Sequence, residues 1–213
     1  LIGMIFTLVF RLTTQVPLNV TDQDHFGYAL SHAYYDAYNF IATSKQQNDS
    51  IQWNPDDHMG TPFLANWQNR PFSPFTLPFY LFTTYTALLI SIMLKSWVAG
   101  LAAYYTARKL GYTAILSLLC ALIFQASHYL FAQPAQPYAD ALPWIPLLFL
   151  YAERLYLKQA RYWPIGAIII ALMLLGGAPK ATLCAIATMI VYLLIHQRIH
   201  PHEPGLKNPL LAM

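Results

Sequence analysis

The chain has 213 residues, of which 57% are apolar and only 10% are charged. Soluble domains carry about 25% charged residues, so this composition argues against an ordinary soluble domain and for a membrane protein. The formal net charge of +3 comes without a basic patch or a readable recognition motif, which argues against nucleic acid as a partner. Both cysteines, Cys120 and Cys184, fall in apolar runs, where packing is the expected role rather than a disulfide.

The apolar runs predict an all-α, polytopic membrane protein with about six spans. Residues 1–12 are the expected end of a first span, and the chain is expected to be part of a longer protein. Residues 13–84 form a large outer loop with interfacial helices, residues 85–195 form further transmembrane helices, and residues 196–213 form a cytoplasmic tail.

The individual helices follow from the periodicity and length of the apolar runs. Inside the outer loop, tyrosines at helical spacing predict a helix over Phe26 to Ala42, whereas Ser44 to Ser50 is polar and turn-like. The segment from Phe72 to Phe82 is short and broken by prolines, which favours an interfacial position. The later helices are predicted over Tyr85 to Ala107, Thr113 to Leu130, Ala141 to Tyr151, Trp163 to Leu175 and Ala181 to Ile195, with a break at Gly176 to Lys180.

Basic residues predict the orientation of these helices. They fall at the same ends of alternating spans, at Arg108, Lys109, Arg154, Lys158, Arg161, Arg198 and Lys207. The positive-inside rule places those ends in the cytoplasm. The acidic first loop, the loop around Asp140 and the break at Gly176 to Lys180 then share the outer side of a cell membrane.

The run from Trp53 to Pro74 is too polar and too proline-broken to cross a bilayer, yet it carries two tryptophans. Prolines and glycines fix turns in it and forbid a continuous helix. Tryptophan and phenylalanine prefer the headgroup level of a membrane, so we expect an ordered loop lying on, or dipping into, one membrane face. An ordinary extramembrane loop is the alternative.

Three passages carry a family resemblance. The first is Trp53 to Pro55, Gly60 to Asn66, Gln68 and Phe72 to Pro74; the second is Ala141 to Pro146 with Glu153 and Arg154; the third is Gly176 to Pro179. Together they resemble the bacterial YfhO-type membrane proteins, which belong to the GT-C superfamily of glycosyltransferases. The sequence departs from this pattern at Ala178 and Lys180, where relatives often carry His and Gln or Glu.

The resemblance implies a GT-C-like helical bundle that transfers a sugar from a polyprenyl-phosphate carrier on the outer face. The implied partners are the lipid-linked donor, membrane lipids and a cell-envelope polymer or glycan acceptor, and the implied cofactor is a divalent metal ion, Mg²⁺ or Mn²⁺. A transporter or lipid flippase is the alternative function, because it would also use broken helices and buried charge. A non-catalytic membrane scaffold is a third possibility.

Asp22 and Asp24 directly follow the first predicted span. The resemblance implies that one of them is the catalytic base or a metal-site carboxylate, and its layout favours Asp24. The residues alone favour helix capping, because Thr21 to Asp24 matches a capping-box pattern.

His32 and Asp36 are four residues apart and would share a helix face, which is adequate spacing for a metal pair. Together with Asp24 they are the candidate metal ligands, and paired surface residues are the commoner explanation.

Lys95 is a further candidate because a charge near mid-span costs about 2.5–3.5 kcal/mol on insertion scales. It would bind a lipid phosphate or pair with an acid. Lys180, beside the helix break, would bind a phosphate or serve as an interfacial anchor. The other candidate substrate-binding residues are polar residues of the outer loop: Asp56, Asp57, Asn66, Gln68 and Arg70. For Asp56 and Asp57 a solvated turn is the simpler interpretation.

Overall fold

The computed structural model describes residues 35–47, 50–57, 59–126, 136–156 and 162–199. These ranges contain helices and turns without a β-strand, which confirms the predicted all-α class. The predicted end of a first span, over residues 1–12, lies outside the described residues. The α-helices are α1 (Tyr35–Gln47), α2 (Thr84–Lys109), α3 (Ala114–Gln125), α4 (Tyr138–Ala141), α5 (Ile145–Tyr156), α6 (Trp163–Leu175) and α7 (Pro179–Ile199).

Helix α1 packs on the segment that follows it through a buried face. The Tyr38 ring stacks on Phe79 with 4.1 Å between centroids, and Ile41 is fully buried beside them. The helix confirms the predicted helix over residues 35–42 and continues to Gln47, whereas the predicted residues 26–34 lie outside the described residues. The prediction of a turn over Ser44 to Ser50 is therefore wrong at its start. Ser44 is buried, and this tertiary burial keeps polar residues helical where their propensity alone would not.

Residues 50–83 connect α1 to α2 and are called the α1–α2 segment. Asn54 and Thr61 exchange two backbone hydrogen bonds of 2.9 Å, which close a narrow turn. Three 3-10 turns follow, over Phe63–Ala65, Trp67–Asn69 and Pro74–Tyr80. The segment has no continuous helix in its described residues, as its prolines and glycines predict.

Hydrogen bonds from side chains hold the ends of these turns. The Asn66 side chain accepts from the Gln68 amide at 3.1 Å, and Ser73 Oγ accepts from the Phe75 amide at 3.4 Å. The Tyr80 hydroxyl donates to the Pro71 carbonyl at 3.0 Å. Burial raises the pKa of Tyr80, so this donor keeps its proton throughout the physiological range.

Helix α2 confirms the helix predicted over Tyr85 to Ala107. With 26 residues it extends about 39 Å, because an α-helix rises 1.5 Å per residue. By length and composition it is the one helix in the described part of the chain that could cross a membrane. The other apolar helices are shorter: α3, α6 and the first part of α7, Pro179–Ile195.

Helices α2 and α3 pack closely as a pair. Gln125 at the end of α3 donates from Nε2 to the Ser96 carbonyl of α2 at 2.7 Å. A Cβ atom at Gly100 would overlap the Gln125 side chain, so the helices approach at a position that has none. This buried hydrogen bond favours one register of the pair, because the Gln125 side-chain amide would be costly to leave unpaired there.

The second half of the described chain surrounds its own apolar core. Helix α4 continues through a 3-10 turn, Leu142–Trp144, into α5. This helical run starts before and ends beyond the helix predicted over Ala141 to Tyr151. Buried residues of α5, α6 and α7 meet in this core, including Leu148, Ile169 and Ala185.

Helices α6 and α7 are joined by a shorter break than the sequence predicts. Helix α6 has the predicted bounds, and Gly176 and Gly177 form the turn after it. Helix α7 already begins at Pro179, which suits the first helical turn because its missing N–H would be unpaired there anyway. It continues to Ile199, so the first residues of the predicted tail are helical.

Candidate functional site

A buried carboxylate, Asp140, is the centre of a cluster of buried charged side chains. Its Oδ1 lies 2.6 Å from Lys95 Nζ and 3.2 Å from Arg70 Nη1. Its Oδ2 accepts a hydrogen bond of 2.7 Å from Ser73 Oγ. The three charged side chains are at most 2% exposed. We call these four residues the Asp140 cluster.

The Asp140 cluster joins three parts of the chain. Asp140 belongs to α4, Lys95 lies midway along α2, and Arg70 and Ser73 belong to the α1–α2 segment. Buried charges need partners because removing an ion from water is costly. Removing one member of a buried ion pair typically costs about 3–5 kcal/mol, so the cluster ties the segment to both helices.

Arg70 is held in an unusual backbone conformation. Its φ of 52° and ψ of 42° are left-handed, a region that non-glycine residues rarely adopt. Its Nε donates to the Gln68 carbonyl at 3.0 Å, and its guanidinium carbon lies 5.1 Å from the centre of the Tyr38 ring. Left-handed residues cost on the order of 1–3 kcal/mol and persist where surrounding contacts hold them. The ion pair with Asp140 is such a contact.

The glycine turn between α6 and α7 packs directly on this site. Gly177 has a φ of +73°, and a Cβ there would overlap the Arg70 side chain and lie 2.8 Å from the Trp67 carbonyl oxygen. A Cβ at Gly176 would lie 3.0 Å from Asp140 Cβ. The Trp67 indole N–H also donates to the Leu174 carbonyl at 2.7 Å. Only glycine fits this close approach of the turn to the cluster.

The three passages of the sequence resemblance therefore meet at one place. Ser73 of the first passage donates to Asp140, which directly precedes Ala141 and the second passage. Gly176 opens the third passage, and a Cβ there would lie 3.3 Å from the Ala141 amide nitrogen. Segments far apart in the sequence thus surround a single carboxylate.

Two of the predicted substrate-binding residues, Lys95 and Arg70, come together in this site. For Lys95 the structure shows the pairing with an acid that was one of its two expected roles. Asn66 is exposed and caps the turn at Gln68, which is also exposed. Asn66 and Arg70 line a cavity of about 150 Å³ together with Trp67, Phe72 and Leu175.

The other predicted substrate-binding residues lie outside the Asp140 cluster. Asp56 and Asp57 are exposed in the turn closed by Asn54 and Thr61, where Thr61 Oγ1 donates to Asp57 Oδ2 at 3.1 Å. This arrangement fits the solvated turn that the sequence indicates. Lys180 is exposed in the first turn of α7.

The catalytic prediction falls on residues that the structure does not describe. Asp22, Asp24 and the candidate metal ligand His32 lie outside the described residues. Asp36 is exposed in the first turn of α1. Within the described ranges, no group of three His, Cys, Asp or Glu side chains could hold a metal ion.

Asp140 is the functional candidate that sequence reasoning missed. The sequence places it in a short loop before a proline-containing helix, where an acid needs no special explanation. Lys95 could have led to Asp140, because a lysine in the middle of an apolar helix usually faces a cavity or a charged partner. Few acids flank the later helices, which makes Asp140 one of the few available partners.

Comparison of the chain with protein-family models, with curated proteins and with solved structures finds no match.

Proposed function

We propose that this chain is part of a polytopic membrane glycosyltransferase of the GT-C kind. It would move a sugar from a polyprenyl-phosphate carrier to a cell-envelope acceptor on the outer face. The observation that supports the proposal is the meeting of the three resembling passages at Asp140. A buried ion cluster is not needed for stability, because apolar residues of similar volume often stabilise a protein as well or better. Its presence at this junction therefore favours a functional role.

The proposed topology places the α1–α2 segment on the outer side of the membrane, where Arg70 and Ser73 reach, through Asp140, the level of Lys95 midway along α2. Helix α2 would cross the bilayer from Thr84 inwards, and the shorter apolar helices α3, α6 and α7 would complete the described part of the bundle. Trp67 and Phe72 are exposed on the segment, where aromatic side chains suit the headgroup level of a membrane. The cavity lined by Asn66 and Arg70 would then open at the height of a lipid-linked sugar.

In the proposed reaction, Asp24 accepts the proton of the acceptor hydroxyl. The acceptor oxygen forms a bond to the anomeric carbon of the sugar, the bond from that carbon to the carrier phosphate breaks, and polyprenyl phosphate leaves. The Asp140 cluster would act by positioning, because it holds the α1–α2 segment on α2 and α4. The segment is part of the predicted outer loop that also carries Asp24, and this loop would thereby be preorganised. Lys95 and Asp140 are therefore positioning residues in this proposal.

The experiment that tests the proposal is sugar transfer by the full-length protein carrying Asp24→Asn. Asparagine keeps the shape and the capping ability of aspartate but cannot accept the proton. Loss of a general base costs about a hundred- to ten-thousand-fold in rate, whereas loss of a helix-dipole contact is worth about 0.3–1 kcal/mol. We expect transfer to be abolished while expression and carrier binding stay normal.

Asp22→Asn is the matched control, and it should keep most of the activity. An exchange of the two phenotypes would move the base to Asp22 without changing the mechanism. Transfer measured with and without a chelator tests whether a divalent metal ion takes part. Near-normal transfer by the double variant would overturn the catalytic role of this loop, and an assay of lipid flipping would then test the alternative function.

A further inference from the structure

Several buried polar side-chain atoms in the described residues have no hydrogen-bond partner. The described residues contain four such atoms: Thr76 Oγ1, Ser91 Oγ, Thr106 Oγ1 and Trp144 Nε1. Most buried polar groups in native proteins are paired with protein or with ordered water, so each exception calls for an explanation. Three of the four follow or precede a cluster residue by three or four positions: Thr76 after Ser73, Ser91 before Lys95 and Trp144 after Asp140.

These spacings place the three groups on the faces that carry the cluster. In a 3-10 turn, side chains three residues apart lie one above the other, and the Thr76 amide donates to the Ser73 carbonyl at 2.9 Å. In the α-helix α2, Ser91 and Lys95 are four residues apart and share a face. Thr76 and Ser91 are at most 1% exposed, so both hydroxyls are directed into the interior.

Trp144 belongs to a second 3-10 turn, Leu142–Trp144. Its ring packs against Phe75 with 5.9 Å between centroids, which places the indole beside the turn that carries Thr76. Helix α2 packs against both 3-10 turns, Pro74–Tyr80 and Leu142–Trp144. The two hydroxyls and the indole N–H therefore belong to three elements that pack together: α2 and the two 3-10 turns that contact it.

We propose that Thr76, Ser91 and Trp144 form a buried water-binding site beside the Asp140 cluster. The indole N–H can only donate, so its ligand must accept a hydrogen bond, which disfavours a bare cation. A hydroxyl both donates and accepts, and buried water typically makes about three hydrogen bonds to such groups. Water therefore satisfies all three groups at once. This inference is independent of the proposed sugar transfer.

The first test removes the hydroxyls one at a time and measures thermal unfolding of the chain in lipid nanodiscs. Thr76→Val and Ser91→Ala should each lower Tm, because the water loses a partner. Thr106→Val is the matched control: its hydroxyl also lacks a partner but lies far along α2 from Lys95. Its removal should leave Tm unchanged or raise it, because replacing an unpaired buried hydroxyl relieves its desolvation cost. Tm changes at Thr76 and Ser91 that match this control would overturn the proposal.

The second test observes the water directly through the Trp144 indole N–H. The chain has five tryptophans, so nitrogen labelling of tryptophan gives few signals, and Trp144→Phe identifies the one needed. We expect a magnetisation-transfer peak between this N–H and a long-lived water, and its loss in the combined Thr76→Val and Ser91→Ala variant. Unchanged signals from the other tryptophans would show that this variant is folded. Absence of the water peak, or a signal that follows chloride concentration instead, would contradict a water site.

Discussion

Lys95 Nζ lies 2.6 Å from Asp140 Oδ1, and this contact joins the middle of the longest described helix to the four-residue helix α4. The same oxygen also faces Arg70, so a single carboxylate oxygen faces two cations from different parts of the chain. The contact explains why a lysine is tolerated in an apolar helix: its partner is built into the fold. Asp140 is therefore one of the residues that hold the α1–α2 segment in place, together with the hydrogen bond from Trp67 to the Leu174 carbonyl.

Asp140→Asn should strongly destabilise the protein. The substitution leaves Lys95 and Arg70 buried without the carboxylate charge, and breaking a buried pair costs about 3–5 kcal/mol. Denaturant unfolding in detergent micelles measures the change. Asp36→Asn is the control, because Asp36 is exposed in the first turn of α1 and should lose no more than about 1 kcal/mol. Equal losses of unfolding free energy in both variants would mean that the buried ion pairs do not stabilise the protein.

Lys95→Leu should separate membrane insertion from folded stability. Removing a mid-helix charge favours insertion by about 2.5–3.5 kcal/mol, so the inserted fraction should stay the same or rise. The folded protein should nevertheless unfold more easily and lose the proposed sugar transfer, because Asp140 loses its nearest partner. Lys180→Leu, at an exposed position, is the comparison for the inserted fraction and for the ease of unfolding. Full activity and stability in Lys95→Leu would make the lysine a dispensable residue.

Gly177→Ala and Gly166→Ala should have opposite effects on stability. Alanine at position 177 would need a left-handed backbone and would overlap Arg70, so we expect a loss of at least about 1 kcal/mol. At position 166, inside α6, a Cβ would meet nothing within 4 Å. Alanine there should stabilise the helix by about 0.5–1 kcal/mol. Thermal unfolding of the two variants side by side checks the sign of each change.

The proposed topology predicts which positions face outwards. In a variant without Cys120 and Cys184, single cysteines at Gln47 and Gln136 should react with an impermeant thiol reagent on intact cells. A cysteine at Gln159 should react only after the cells are opened. Reaction at Gln159 alone in intact cells would invert the orientation.

The elements that the sequence predicts well are those with a strong local signal. Helix α6 follows from an uninterrupted apolar run that ends at two glycines, and α2 follows from a run long enough to span a bilayer. The end of α1 was predicted incorrectly because burial of Ser44, which holds its last turn, depends on residues elsewhere in the chain.

The Asp140 cluster itself depends on contacts that no local pattern encodes. The sequence identifies Lys95 as a residue that needs a partner and Arg70 as a polar candidate, but it does not say that they share one. The left-handed conformation of Arg70 and the fit of Gly177 against it arise only when the two segments pack. The sequence identifies the three passages that carry the resemblance, and only their packing brings them together at Asp140.

A double-mutant cycle between Arg70 and Asp140 tests most directly whether the cluster ties the α1–α2 segment to the helices. The unfolding free energies of Arg70→Met, Asp140→Leu and the double variant are compared with that of the unchanged protein. Residues that interact directly should show a coupling energy of about 0.5–3 kcal/mol, with the double variant less destabilised than the sum of the single variants. Effects that add to within about 0.3–0.5 kcal/mol would show that the two residues do not act together, which would contradict the account.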